Sequence, residues 1–121
     1  MDVKDKVVIV TGGGRGIGFG ISTAYAKAGA KLVITGRTEA TLLEAKKKLE
    51  AYGTSVLTVT ADGADEAAIK NVIAKTVEAY GKIDAVVNNA QASKSGKMLV
   101  DHTKEDFDLA IYSGLYATFF Y

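Results

Sequence analysis

The chain has 121 residues, 48% of them hydrophobic and 24% charged, with a formal net charge of +1. That length and balance fit one globular domain, and so small a charge gives no electrostatic case for nucleic acid or an anionic membrane as partner. Cysteine is absent, which excludes disulfides and thiolate zinc sites.

The N-terminus, Met1-Asp2-Val3-Lys4-Asp5, is charged rather than apolar, and no run reaches membrane-spanning length. The expectation is therefore a cytoplasmic protein. A β-rich run, Lys6 to Val10, enters Thr11-Gly12-Gly13-Gly14-Arg15-Gly16-Ile17-Gly18, and an apolar helical pattern from Ile17 to Ala28 follows. A strand feeding a helix through such a turn aims backbone N–H groups and the positive end of the helix dipole at one spot, which suits phosphate. Gly12 allows the tight exit, Gly16 lets a pyrophosphate approach the backbone, and Gly18 lets helix and strand pack closely.

Further short apolar runs occur at Leu32–Thr35, Val56–Thr60 and Ile83–Val87, as expected of strands buried in a parallel sheet. Between them, a second helix starts near Thr38, with Leu42, Ala45, Leu49 and Tyr52 on one face and Gly53 as its stop. Lys46, Lys47 and Lys48 on it read as a solvated face. A third helix takes Asp65 as N-cap, carries a stripe of Ile69, Val72, Ile73, Thr76, Val77 and Tyr80, and ends at Gly81. A last helix begins near Thr103 or Lys104 and runs into Phe119-Phe120-Tyr121. The alternation predicts an α/β fold, a Rossmann-type doubly wound parallel sheet of strand order 3-2-1-4. The unpaired edge of the fourth strand and the aromatic helix end predict that residues 1–121 are the N-terminal half of a longer single-domain fold.

The glycine spacing is selective. Neither the general dinucleotide fingerprint nor the mononucleotide loop can be placed on it, because Ile17 and Phe19 stand where a third glycine is needed and Arg15 is followed by Gly16. What fits is Thr-Gly-x-x-x-Gly-Ile-Gly, which resembles the cofactor loop of the classical short-chain dehydrogenase/reductase family. The resemblance extends over essentially the whole chain. It implies a cofactor site made by Gly12, Gly14, Arg15, Gly16, Ile17 and Gly18, with Asp62 and Gly63 meeting the adenine. Asn89 and Ala90, in Asn88-Asn89-Ala90, would lie toward the ribose and nicotinamide. Gln91 replaces the family's usual glycine after that segment.

At the end of the second strand, where NAD sites place a carboxylate for the ribose hydroxyls, this chain has Gly36 followed by Arg37. A guanidinium there suits a 2′-phosphate, and Arg15 reaches the same region, so NADP is favoured over NAD. Arg37 as a plain loop arginine and Asp62 as a turn residue before Gly63 remain the alternative readings.

By the same resemblance the family's active-site asparagine falls on Gly114, beside Ser113. Its catalytic serine and Tyr-x-x-x-Lys pair lie beyond Tyr121, and no tyrosine here is followed four residues later by lysine. The catalytic residues within the chain are therefore none, and residues 1–121 alone are expected to be inactive. The intact protein is expected to be a homo-oligomeric oxidoreductase acting on a small-molecule secondary alcohol or ketone. His102 is alone and suggests no metal site. Two other classes stay open: a non-catalytic nucleotide-binding or interaction module on the half-fold, and a methyltransferase, which would want an acid where Gly36 and Arg37 stand.

Overall fold

A computed structural model describes residues 2–62, 65–90 and 103–111. The described elements run β1 (Val7–Thr11), α1 (Gly16–Lys27), β2 (Lys31–Gly36), α2 (Glu39–Glu50), β3 (Val56–Thr60), α3 (Glu66–Tyr80), β4 (Ala85–Val87) and α4 (Lys104–Ala110). The strands pair in parallel in the order β3-β2-β1-β4, so the expected Rossmann topology is the one found. β1 is central, with Val10 opposite Ile34 on one side and Val87 on the other.

Side chains alternate across a strand, so each β-branched run serves two cores. Val8, Val10, Leu32, Ile34 and Val56 pack with Ala26 of α1 and with Leu42, Ala45 and Leu49 of α2. Ile9, Val33 and Val59 face the other way, onto Val72 of α3. Helices therefore cover both faces, with the change of face at the crossover from β3 to β4. Asp65 caps α3 as expected, its carboxylate accepting from the N–H groups of Ala67 at 3.0 Å and Ala68 at 3.4 Å. Gly81, at φ 76°, ends the helix.

Three details differ from the sequence expectation. Tyr52 does not join the buried face of α2, which ends at Glu50. It sits half-exposed in the following turn, its ring centroid 5.5 Å from the Lys27 ammonium. Val77 is 46% exposed: successive helical residues turn by about 100°, which carries it off the stripe that buries Ile69, Val72 and Thr76. The fourth strand begins at Ala85 rather than Ile83. The Asp84 N–H donates to the Val7 carbonyl at 2.9 Å, while the Asp84 carboxylate, not a strand carbonyl, accepts from the Val7 N–H at 2.8 Å. A side chain thus closes the first rung. Gly63, Gln91, His102, Ser113, Gly114 and the aromatic residues from Tyr116 to Tyr121 lie outside the described residues.

Candidate functional site

Because the strands are parallel, the segments after β1, β2, β3 and β4 all leave the same edge of the sheet. They carry, in turn, the glycine turn, Arg37, Asp62, and Asn89 with Ala90. β1 lies between β2 and β4, and the chain leaves it toward α1 on one face but reaches β4 from α3 on the other. A crevice opens where strand order reverses in this way, and ligands of such sheets bind there.

The glycine turn is shaped by two different demands. Gly12 and Gly16 have φ of +65° and +58°, in the left-handed region that side chains disfavour. Around Gly16 a Cβ would meet nothing within 4 Å, so the backbone there is bare. Gly18 and Gly13 are demanded by packing instead. A Cβ on Gly18 would fall 2.0 Å from the Gly12 carbonyl oxygen and 2.5 Å from Asn89 Nδ2. One on Gly13 would fall 2.8 Å from Ile34 Cγ2 and 2.9 Å from Ser22 Oγ. The Ser22 hydroxyl, fully buried, lies 3.2 Å from the Gly13 carbonyl and 2.9 Å from that of Gly18, and the Gly13 N–H donates to the Thr35 carbonyl at 3.2 Å.

The N-terminus of α1 is electrically open. Arg15 occupies the N-cap in extended conformation without a side-chain cap, and no acid stands in the first turn. The leading N–H groups of a helix have no intrahelical acceptor, and the dipole leaves them a partial positive charge. Arg15, Gly16 and Ile17 are exposed, Ile17 by 80%. On the α1–α2 side the turn borders a cleft of about 260 Å³ lined by Gly14, Arg15, Phe19, Thr41, Glu44 and Lys48 among others. Lys48 lies 3.4 Å from the Glu44 carboxylate and 6.0 Å from the Phe19 ring centroid, so its charge is balanced locally.

Opposite the turn, Thr11 clasps the segment after β4. Its hydroxyl donates to the Val87 carbonyl at 3.3 Å and accepts from the N–H groups of Asn89 and Ala90, both at 3.0 Å. Asn89 Nδ2 reaches the Gly12 carbonyl at 3.4 Å. The sheet edge is therefore tied across β1 and β4 by side chains. Asp62 is exposed just beyond β3, and the neighbouring Ala61 N–H donates to the Gly36 carbonyl at 2.9 Å, which holds the β3 end beside the β2 end. Arg37 is exposed immediately after β2.

These residues fit a dinucleotide: bare backbone at Gly16, uncapped helix N–H groups for a pyrophosphate, and an arginine in place of an acid after β2. The family model described as short chain dehydrogenase matches residues 6–121. The chain belongs to that family. It is 53% identical over 123 residues to a 12alpha-hydroxysteroid dehydrogenase of Clostridium sp., covering 96% of this chain and 48% of that protein. Its fold overlays the crystal structure of levodione reductase with a TM-score of 0.91 at 31% identity, covering 97% of this chain and 46% of the other. A short chain dehydrogenase from Burkholderia cenocepacia, crystallised with NADP, gives 0.89 at 32% identity, covering 99% and 49%. The chain thus spans about half the length of the relatives it matches.

Among the sequence-derived site residues, Gly12, Gly14, Arg15, Gly16, Ile17, Gly18, Arg37, Asp62, Asn89 and Ala90 all stand at the one sheet edge. Sequence reasoning passed over Gly13, Ser22 and the hydroxyl of Thr11. For Thr11 a signal existed, since a hydroxyl ending a buried strand needs partners. For Gly13 none did, because its constraint comes from Ile34 on β2 and Ser22 on α1. Among the described residues, no group of three His, Cys, Asp or Glu could hold a metal, and no helix is long and apolar enough to cross a membrane.

Proposed function

We propose that this chain is the cofactor-binding portion of an NADP-preferring short-chain oxidoreductase that interconverts a secondary alcohol and a ketone. The reading is supported above all by the uncapped N-terminus of α1 over the bare backbone of Gly16, at the point where strand order reverses. In it the N–H groups of Gly16, Ile17 and Gly18 receive the pyrophosphate. Arg37 and Arg15 receive the 2′-phosphate, and Asp62 accepts from the adenine amino group. Asn89 and Ala90, held by Thr11, flank the nicotinamide ribose. When bound, the cofactor supplies or takes up the hydride. The residues of this chain bind and orient it, and proton transfer to the carbonyl oxygen belongs to groups outside them.

The test is a titration of the full-length protein with NADPH and NADH. NADPH is expected to bind more tightly, and Arg37→Ala should weaken NADPH by about tenfold or more while leaving NADH nearly unchanged, since one charge-assisted contact is worth about 1.5–3 kcal/mol. Tighter NADH binding by the parent protein would overturn the cofactor reading. The 53% identity to 12alpha-hydroxysteroid dehydrogenase puts hydroxysteroids first in a substrate panel of secondary alcohols.

A further inference from the structure

Ser22, on the second turn of α1, is fully buried beneath the glycine turn. Its hydroxyl lies 2.9 Å from the Gly18 carbonyl and 3.2 Å from that of Gly13, so it reaches both ends of the turn. It has one proton to give. The Gly18 carbonyl, four residues back in the same helix, is already the acceptor of the Ser22 N–H. The Gly13 carbonyl has no other donor among the described residues, and leaving a buried carbonyl unpaired is costly. The proton therefore belongs on Gly13, whose own N–H is held by the Thr35 carbonyl at 3.2 Å. A trans peptide points its carbonyl and the next N–H in opposite directions, and no described peptide bond is cis. With the Gly13 carbonyl drawn inward onto Ser22, the Gly14 N–H is turned outward, next to the exposed Arg15 and Gly16, and it has no acceptor among the described residues. Glycines flank this peptide on both sides and offer little steric resistance to its turning over. Turned over, it would present a carbonyl oxygen where the N–H now stands.

We propose that Ser22 is a positioning residue for cofactor binding: its buried hydroxyl locks the Gly13–Gly14 peptide with the amide outward, adding the Gly14 N–H to those that Gly16, Ile17 and Gly18 offer the pyrophosphate. The inference rests on the cofactor-site reading above and deepens it. The pyrophosphate is common to NADPH and NADH, so the lock serves both alike and plays no part in choosing between them. Thr23 supplies an internal comparison. Its hydroxyl donates to the Phe19 carbonyl at 2.8 Å, the same one-turn-back bond in the same helix, but among the described contacts it makes no hydrogen bond to the turn.

The experiment measures dissociation constants for NADPH and NADH, with thermal melting, on the full-length parent, Ser22→Ala, Ser22→Thr and Thr23→Ala. Alanine is the better helix former, so Ser22→Ala is expected to fold. It should weaken both cofactors by the same factor, about tenfold or more, the value of one charge-assisted hydrogen bond. Ser22→Thr keeps the hydroxyl and should restore most of that affinity. If thermal melting shows that the threonine variant does not fold, Ser22→Cys replaces it: a poor donor of similar size, it should bind nearer to the alanine variant than to the parent. Thr23→Ala should leave both constants unchanged. A merely structural bond lowers the melting temperature in either alanine variant, whereas the lock alone moves affinity. The proposal is overturned if Ser22→Ala binds both cofactors as the parent does, or weakens only one of them. It is overturned equally if the folded threonine variant is no tighter than alanine, if the cysteine variant matches the parent, or if Thr23→Ala loses as much affinity. A parent that bound neither cofactor would refute the cofactor-site reading and this role with it. Tighter NADH binding by the parent would refute the NADP preference alone, and the equal loss in Ser22→Ala would still decide the proposal.

Discussion

Replacing Thr11 by valine keeps shape and volume but removes the hydroxyl that joins β1 to the segment after β4. Three hydrogen bonds go at once: to the Val87 carbonyl at 3.3 Å, and from the Asn89 and Ala90 N–H groups at 3.0 Å each. The losses are unequal. The Asn89 N–H keeps the Val87 carbonyl as acceptor at 3.0 Å, whereas that of Ala90 has no second acceptor among the described contacts. An orphaned, buried N–H costs about 1–3 kcal/mol, toward the low end for a half-buried residue such as Ala90, and a bond with a remaining alternative costs about 0.5–1 kcal/mol. The sum is about 2 kcal/mol. For a protein as long as the relatives, roughly 250 residues, that is a drop of about 4–8 °C in Tm.

Thr11→Ser is the paired control, because it keeps the oxygen and loses one methyl, about 0.8 kcal/mol. Chemical denaturation of the full-length protein gives both stabilities, and a cofactor titration reads the position of Asn89 and Ala90. The expected order is parent, then serine, then valine, in both measurements. A valine variant within about 0.5 kcal/mol of the parent, or a serine variant as damaged as the valine, would show that the clasp is not what holds this segment.

Gly18→Ala should destabilise the protein by about 3 kcal/mol or more and abolish cofactor binding, since its methyl would fall 2.0 Å from the Gly12 carbonyl oxygen; equilibrium unfolding with calorimetric titration checks both. Gly16→Val should abolish binding at a cost of only about 1–2 kcal/mol in stability, because its side chain enters open space at φ +58°. Far-ultraviolet circular dichroism should show its helical content unchanged, and retained cofactor binding would place the phosphate site elsewhere. Asp84 gives the pH dependence. Chiefly the Val7 N–H, and next the Lys82 ammonium at 3.0 Å, hold its carboxyl below the ordinary aspartate value. Its folded pKa lying below its unfolded one, its contribution is present above the unfolded value and fades as pH falls through the folded one. Asp84→Asn should therefore be less stable at neutral pH and should lose less stability than the parent between pH 5 and acid unfolding; parallel acid-unfolding curves would refute this.

The topology was legible in the sequence because each signal for it is local. Uninterrupted β-branched runs state burial on both faces, and Asp65 and Gly81 mark the ends of α3 by the chemistry of their own residues. The glycine turn was legible for the same reason, since positive φ at Gly12 and Gly16 is a property of the turn itself. What was illegible is set between elements. Nothing near Gly13 announces Ile34, nothing near Tyr52 announces the end of α2 two residues earlier, and nothing near Asp84 announces the Val7 N–H of β1.

That division bears on how the site holds its shape. The glycine turn has few bonds of its own and is fixed from outside: by Ser22 and Gly18 from α1, by Thr35 and Ile34 from β2, by Asn89 from the segment after β4, and by Leu42 from α2. Four segments thus converge on one loop, so the bare backbone at Gly16 can be held in a conformation that costs energy without needing side chains where the proposed cofactor would lie. It follows that core substitutions on the α1–α2 face of the sheet should reach cofactor affinity before they unfold the domain, whereas those on the α3 face should not. Ile34→Ala and Val33→Ala compare the two: the first removes the Cγ2 methyl that lies against Gly13, the second belongs to the cluster with Val72. At matched loss of stability, the Ile34 variant should show the larger rise in the NADPH dissociation constant, and equal rises would mean that the turn follows global stability alone.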